Sequence, residues 1–154
     1  MTFFIQKITN MENNIFIENY FNGHSITDNT LLNNCEFLYK KLQHIFASLN
    51  INIQDLKITS GYRNKQHNQS VGGASNSLHT KGLAVDFYDP NSFLDKLLID
   101  NVELLHKNQC AIEHPAYTKG WCHIQAVLPK SQKNVFIPYN GTIKANQKDD
   151  LFKI

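Results

Sequence analysis

The stretch that most restricts this chain is Ser77-Leu78-His79-Thr80-Lys81-Gly82-Leu83-Ala84-Val85-Asp86. It sets an imidazole and a carboxylate on either side of a glycine turn. The residues from Leu83 to Tyr88 read as a strand, so Asp86 falls between apolar Val85 and Phe87. A carboxylate in such a strand needs a strong partner, because burying an unpaired charge is costly. An arginine, a set of backbone donors or a metal ion would each serve. Trp121-Cys122-His123 adds a second imidazole in another apolar stretch. Two histidines and one aspartate suffice to hold a catalytic zinc, with the fourth position left to water.

The remaining pattern has to bring these pieces together. Residues 29–49 predict the longest helix, since Leu31, Leu32, Cys35, Leu38, Leu42, Ile45, Phe46 and Leu49 recur at three- and four-residue steps. Thr27 or Asp28 would cap its start, and Asn50 fits its end. Residues 54–60 read as a short strand leading into Gly61-Tyr62-Arg63. Residues 64–70 read as one or two helical turns ended by Gly72-Gly73, and residues 74–82 as a polar loop carrying His79. Residues 90–106 predict one further helix, with Phe93, Leu94, Leu97, Leu98 and Leu105 as its apolar stripe.

Residues 109–113 and 121–128 read as strands, joined by a connector short enough for an antiparallel hairpin. Alternation then puts Trp121, His123 and Gln125 on the face opposite Cys122 and Ile124. A simple closure sets Glu113 opposite Trp121 and Ala111 opposite His123. Glu113 and His123 become diagonal neighbours, roughly 7 Å apart. A carboxylate there can manage a water at a metal; as a plain strand-end charge it would pair with a lysine such as Lys119. One more strand is read within residues 135–139, followed by a charged, frayed tail. Residues 1–28 read as an irregular arm with room for one short helix, and residues 29–154 as the one domain.

Composition narrows the class. The chain has 154 residues, 42% of them hydrophobic, which supports one domain with a real core. A net charge of +2 is too mild to argue for nucleic acid or a membrane surface, and no run is long enough to span a bilayer. Cys35, Cys110 and Cys122 are an odd number without C-x-x-C spacing, which argues against a disulfide framework or a cysteine zinc site. They read as reduced and buried. The segment Met1 to Lys7 lacks the pattern of a signal peptide, so synthesis in the cytoplasm is expected.

Ser60-Gly61-Tyr62-Arg63, His67-Asn68, Val71-Gly72-Gly73-Ala74, Asn76-Ser77-x-His79-x-x-Gly82-x-Ala84-x-Asp86, Gln109 to Glu113 and Trp121-x-His123 follow one another at telling intervals. Together they closely resemble the zinc D-Ala-D-Ala carboxypeptidase family. That group includes phage cell-wall endopeptidases and shares its fold with the Hedgehog signalling domain. The resemblance covers residues 29–128. It implies an α+β fold, a small antiparallel sheet with flanking helices, and one zinc held by His79, Asp86 and His123. Arg63 matches an arginine that lies at the site and helps bind substrate, and Ser77 would face the site too. Glu113 matches a glutamate that precedes the W-x-H strand in the phage-type branch.

Several members carry an acidic base three residues before the last histidine, where this chain has Gly120. The proton-handling role then falls to Glu113, with His114 and a mobile group from elsewhere as the weaker candidates. The implied activity is hydrolysis of peptidoglycan peptides, of D,D-carboxypeptidase or endopeptidase type. The implied setting is a monomer acting on the cell wall after phage-type release or as part of a virion. The alternative is a zinc-containing cell-wall binding module without catalysis, which Gly120 would permit.

Overall fold

The computed structural model describes residues 14–138. The first thirteen residues of the expected arm and the expected tail from residue 139 lie outside them.

Within the arm, Asn14 accepts a hydrogen bond from the Ile17 amide and starts helix α1 (Ile15–Phe21). Phe16, Ile17, Tyr20 and Phe21 are all buried, so this helix is part of the core. Helix α2 (Asn29–Ser48) starts where the Asp28 carboxylate accepts from the Leu31 amide. Its apolar stripe runs as the periodicity predicts, with Leu31, Leu32, Cys35, Leu38, Leu42, Ile45 and Phe46 buried. Each such side chain contributes about 1.5–3 kcal/mol on full burial, so this face anchors the fold.

Strand β1 (Ile58–Ser60), helix α3 (Lys65–Ser70) and strand β2 (Ala84–Asp89) follow. The strand expected over residues 54–60 is shorter because Asn52 caps a 3-10 turn at Ile53–Asp55. The polar loop over residues 74–82 contains a second 3-10 turn, Leu78–Lys81, closed by Gly82 at φ +75°. A side chain at Gly82 would also meet the Leu31 side chain, so glycine is needed twice over there.

The single helix expected over residues 90–106 is two: α4 (Phe93–Asp100) and α5 (Val102–Asn108). At the break, the Asn101 side chain donates to the Leu97 carbonyl. Asparagine competes with the helix ladder in this way, and the chain turns. The start is also later than expected. Ser92 sits at φ +54°, and Asp89 takes the Leu94 and Asp95 amides on its two carboxylate oxygens.

Strands β3 (Ala111–Glu113), β4 (Gly120–Gln125) and β5 (Val135–Phe136) complete one sheet of order β1-β2-β4-β3-β5. All neighbours are antiparallel except β3 and β5. Val85 and Phe87 of β2 point to the helical side, where the Phe87 ring meets Phe46 edge-on at 5.7 Å. By alternation Ala84, Asp86 and Tyr88 take the other face. In β4 the facing residues are Gln125, His123 and Trp121, because Ala84 pairs with Gln125, Asp86 with His123 and Tyr88 with Trp121.

The β3–β4 register differs from the simple closure. Ala111 pairs with Gln125 and Ile112 with Ile124, which sets Glu113 level with His123 instead of diagonal to it. A 3-10 turn at Pro115–Tyr117, capped by the His114 ring accepting from the Ala116 amide, takes up the extra residues. The shift is two residues, so every side chain keeps its expected face.

Candidate metal centre

Asp86 reaches the face opposite Val85 and Phe87 from the middle of β2, and His123 stands beside it on β4. His79 comes from the 3-10 turn just before β2, where the Ser77 hydroxyl accepts from the His79 amide. The three side chains converge on one atom. Asp86 Oδ1 lies 3.2 Å from His79 Nε2 and 2.8 Å from His123 Nδ1. The rings stand 5.3 Å apart, centre to centre.

The far nitrogens say what the near ones are. His79 Nδ1 is 2.8 Å from the Gly61 carbonyl, which can only accept, so Nδ1 carries the proton. His123 Nε2 is 3.2 Å from Gln125 Oε1. The Gln125 amide nitrogen donates to the Val127 carbonyl, which fixes the amide oxygen toward the histidine. His123 Nε2 therefore carries a proton as well. In the neutral rings, both nitrogens aimed at Asp86 are bare lone pairs. Two lone pairs facing a carboxylate oxygen repel unless a cation lies among them.

A proton is one such cation. Burial alone would lower the His123 pKa, but its hydrogen bond to Asp86 and the charges of Asp86 and Glu113 raise it on balance. Burial alone would raise the Asp86 pKa, yet the His123 and His79 bonds hold it well below the usual carboxylate range. A divalent metal is the other. Tetrahedral zinc with bonds of about 2.0–2.2 Å needs donors roughly 3.3 Å apart. Histidine nitrogens 3.2 and 2.8 Å from Asp86 Oδ1, with each of the three side chains held by a further hydrogen bond, come near that spacing.

The other expected residues are placed as follows. Arg63 Nη2 lies 3.3 Å from Asp86 Oδ2, and its Nε donates to the Ser60 hydroxyl at 2.8 Å. Arg63 thus holds the Asp86 oxygen that the histidines do not use. Glu113 is half-buried and level with His123; burial raises its carboxyl pKa above the ordinary range, with His123 lowering it and Asp86 raising it. The Ser77 hydroxyl is occupied locally as the cap of the His79 turn. Tyr88 and Trp121, a paired couple one step along the same face, are exposed.

Sequence reasoning missed Gln125 and Phe136, whose ring meets His123 edge-on at 6.1 Å, and quoted Ser60 and Gly61 within a motif without their roles as partners of Arg63 and His79. Alternation had put Gln125 on the correct face, but nothing in its neighbours marks it as a histidine partner.

A second acidic group, Asp89, Asp95 and Cys122, lies on the buried side of the sheet. Asp89 serves the α4 amides, and burial pushes the Cys122 thiol up. Burial also pushes Asp95 up to about 6, which the Asp89 charge reinforces.

A five-stranded sheet flanked by helices, with His, Asp and His gathered on the face opposite Val85 and Phe87 and a glutamate beside them, is the equipment of a metal-dependent hydrolase. A family model described as Peptidase M15 matches residues 15–124. The chain belongs to that family of zinc-dependent peptidases. No curated protein and no solved structure gives a significant match. No helix among the described residues is long and apolar enough to cross a membrane.

Proposed function

We propose that this chain is a zinc peptidase that hydrolyses peptide bonds of peptidoglycan, in stem peptides or cross-links, as a D,D-carboxypeptidase or endopeptidase. The observation that carries the metal part is the convergence of two histidine lone pairs and Asp86 Oδ1, with both tautomers fixed from behind. His79, Asp86 and His123 are the ligands in this reading. When bound, zinc supplies a Lewis acid that polarises the peptide carbonyl and acidifies water.

The chain's own groups do the rest. Glu113 stands level with His123, and its raised pKa suits a group that takes a proton from the attacking water and returns it to the leaving amine. Arg63 keeps Asp86 Oδ2 out of the cluster through Nη2, and in this reading its guanidinium also meets a substrate carboxylate. Ser77 supports the site by fixing the His79 turn, next to where substrate would lie. The protein works as a monomer on the cell wall, reached after phage-type release or carried on a virion.

The test is to incubate zinc-loaded protein with purified sacculi and identify released fragments by mass spectrometry. Free D-alanine marks a carboxypeptidase, and separated cross-linked peptides mark an endopeptidase. The second reading, a zinc-containing binding module, is favoured by Gly120: it sits at φ +99° and offers no side chain where several relatives carry an acid. Binding to sacculi with zinc present and no fragment released would establish it. Absence of zinc from a folded protein would remove both readings.

A further inference from the structure

The far nitrogens of the two histidines are held by different kinds of group. His79 leans on the Gly61 backbone carbonyl, whereas His123 leans on a side chain, the Gln125 carboxamide. We propose that Gln125 is a positioning residue of the metal centre: its amide oxygen holds the His123 ring so that Nδ1 faces the ligand cluster. The inference rests on the zinc reading above.

The reason lies in what the ring could otherwise do. A half-turn about the Cβ–Cγ bond exchanges Nδ1 with the carbon Cδ2, which has no lone pair to offer. The same half-turn replaces Nε2 with the carbon Cε1 beside Gln125. The ring orientation that supplies a ligand is therefore the one that donates a full N–H···O bond to Gln125. The acceptor itself is well fixed. Gln125 is 6% exposed, and its backbone pairs with Ala84 on one side and Ala111 on the other. Its amide nitrogen donates to the Val127 carbonyl at 2.8 Å. Turning the amide over would set its oxygen against that carbonyl, acceptor to acceptor. Partners of this kind typically change metal affinity by roughly 10–100-fold when lost.

Gln125 makes two bonds, and two substitutions separate them. Gln125→Met keeps length and removes both. Gln125→Glu keeps an acceptor for His123 and removes the donor to Val127. Zinc affinity is measured for parent and variants by competition with a chromophoric chelator. The visible spectrum of the cobalt-substituted proteins reports the ligand set, and circular dichroism of the metal-free forms reports folding. Gln125→Met should bind zinc roughly 10–100-fold more weakly with an altered cobalt spectrum. Gln125→Glu should bind at least as tightly as the parent, with the parent's spectrum.

Gln125→Met indistinguishable from the parent would overturn the inference. So would Gln125→Glu falling as far as Gln125→Met with its cobalt spectrum still that of the parent, since the His123 ligand would then be in place and the loss would belong to the Val127 contact. If Gln125→Met does not fold, Gln125→Glu decides alone: retained affinity or an altered cobalt spectrum supports the role, and lost affinity with the parent's spectrum overturns it. A folded parent that binds no zinc removes the metal centre and this inference together. A parent that binds zinc beside a Gln125→Met that binds it equally well removes only the inference.

Discussion

Asp86 has two oxygens in two different circumstances. Oδ1 gathers the histidines, while Oδ2 receives Arg63 Nη2. The arginine thereby leaves one oxygen to the cluster, which suits a small ion that takes one donor per side chain. His79, Asp86 and His123 could be singled out from the sequence because their motif spacing is distinctive and the surrounding apolar residues make a buried carboxylate conspicuous. Gln125 could not, because a lone polar residue in a strand carries no mark of the atom it will touch. Glu113 is the residue whose role most needs a direct test. Glu113→Gln keeps shape and hydrogen bonding but removes basicity, so zinc content and folding should persist while peptide hydrolysis falls roughly 10²–10⁴-fold. His114→Ala should change turnover far less, since the His114 ring caps the 3-10 turn at Pro115–Tyr117. Turnover on cell-wall peptide, with zinc measured in the same samples, checks both. A silent Glu113→Gln beside a dead His114→Ala would move the proton to the histidine.

At the scale of elements, what could be read was what periodicity controls. Helix α2 follows its apolar steps closely, because seven buried side chains on one stripe leave it little choice. The α4–α5 break and the β3–β4 register were hidden for a common reason. Each depends on one side chain capturing a nearby backbone group, Asn101 in one case and His114 in the other. Such captures are decided by local geometry and leave no period. The contact of β1 with α1 yields another expectation. A methyl group at Gly61 would collide with the Tyr20 backbone, and the Tyr62 amide bonds the Tyr20 carbonyl at 2.9 Å. Gly61→Ala should cost roughly 1–3 kcal/mol. It should also weaken zinc binding, because the displaced carbonyl is the one that anchors His79. Denaturant unfolding and chelator competition read the two effects. Unchanged zinc affinity in a destabilised protein would show that the anchor tolerates movement.

Helix α4 supplies the pH-dependent element. Asp95 is fully buried, its Oδ1 has no hydrogen-bond partner, and its pKa is pushed up to about 6 from an ordinary 3.8. A carboxyl whose folded pKa is raised binds its proton more tightly in the folded chain. Its stabilising contribution is complete below the unfolded pKa and is lost as pH rises through the folded one. The parent should therefore lose roughly 1–3 kcal/mol between pH 4 and pH 7 from this group. Asp95→Asn, neutral throughout, should flatten that slope, as unfolding curves at several pH values will show. Parallel slopes in parent and variant would mean that Asp95 is already ionised at pH 4.

On the scale of the whole molecule, the sheet order has a kinetic meaning. Asp86 and His123 are 37 residues apart in sequence and meet only where β2 lies against β4 at the centre of the sheet. Pairings this distant close late, after the loop entropy between them has been met. An ion that needs both side chains finds its grip only in the finished sheet and has no purchase on the chain during its ascent. Zinc at a hundred times its dissociation constant should then add about 2.7 kcal/mol of stability. Nearly all of it should appear as slower unfolding, with the refolding rate unchanged. Stopped-flow traces with and without zinc separate the two limbs, and faster refolding in zinc would mean that the ligands meet before the strands do. In a metal-free cell extract this protein would fold as fast as its loaded form and be lost sooner. Metal supply would thus set how long the molecule lasts, and leave untouched how quickly it is made.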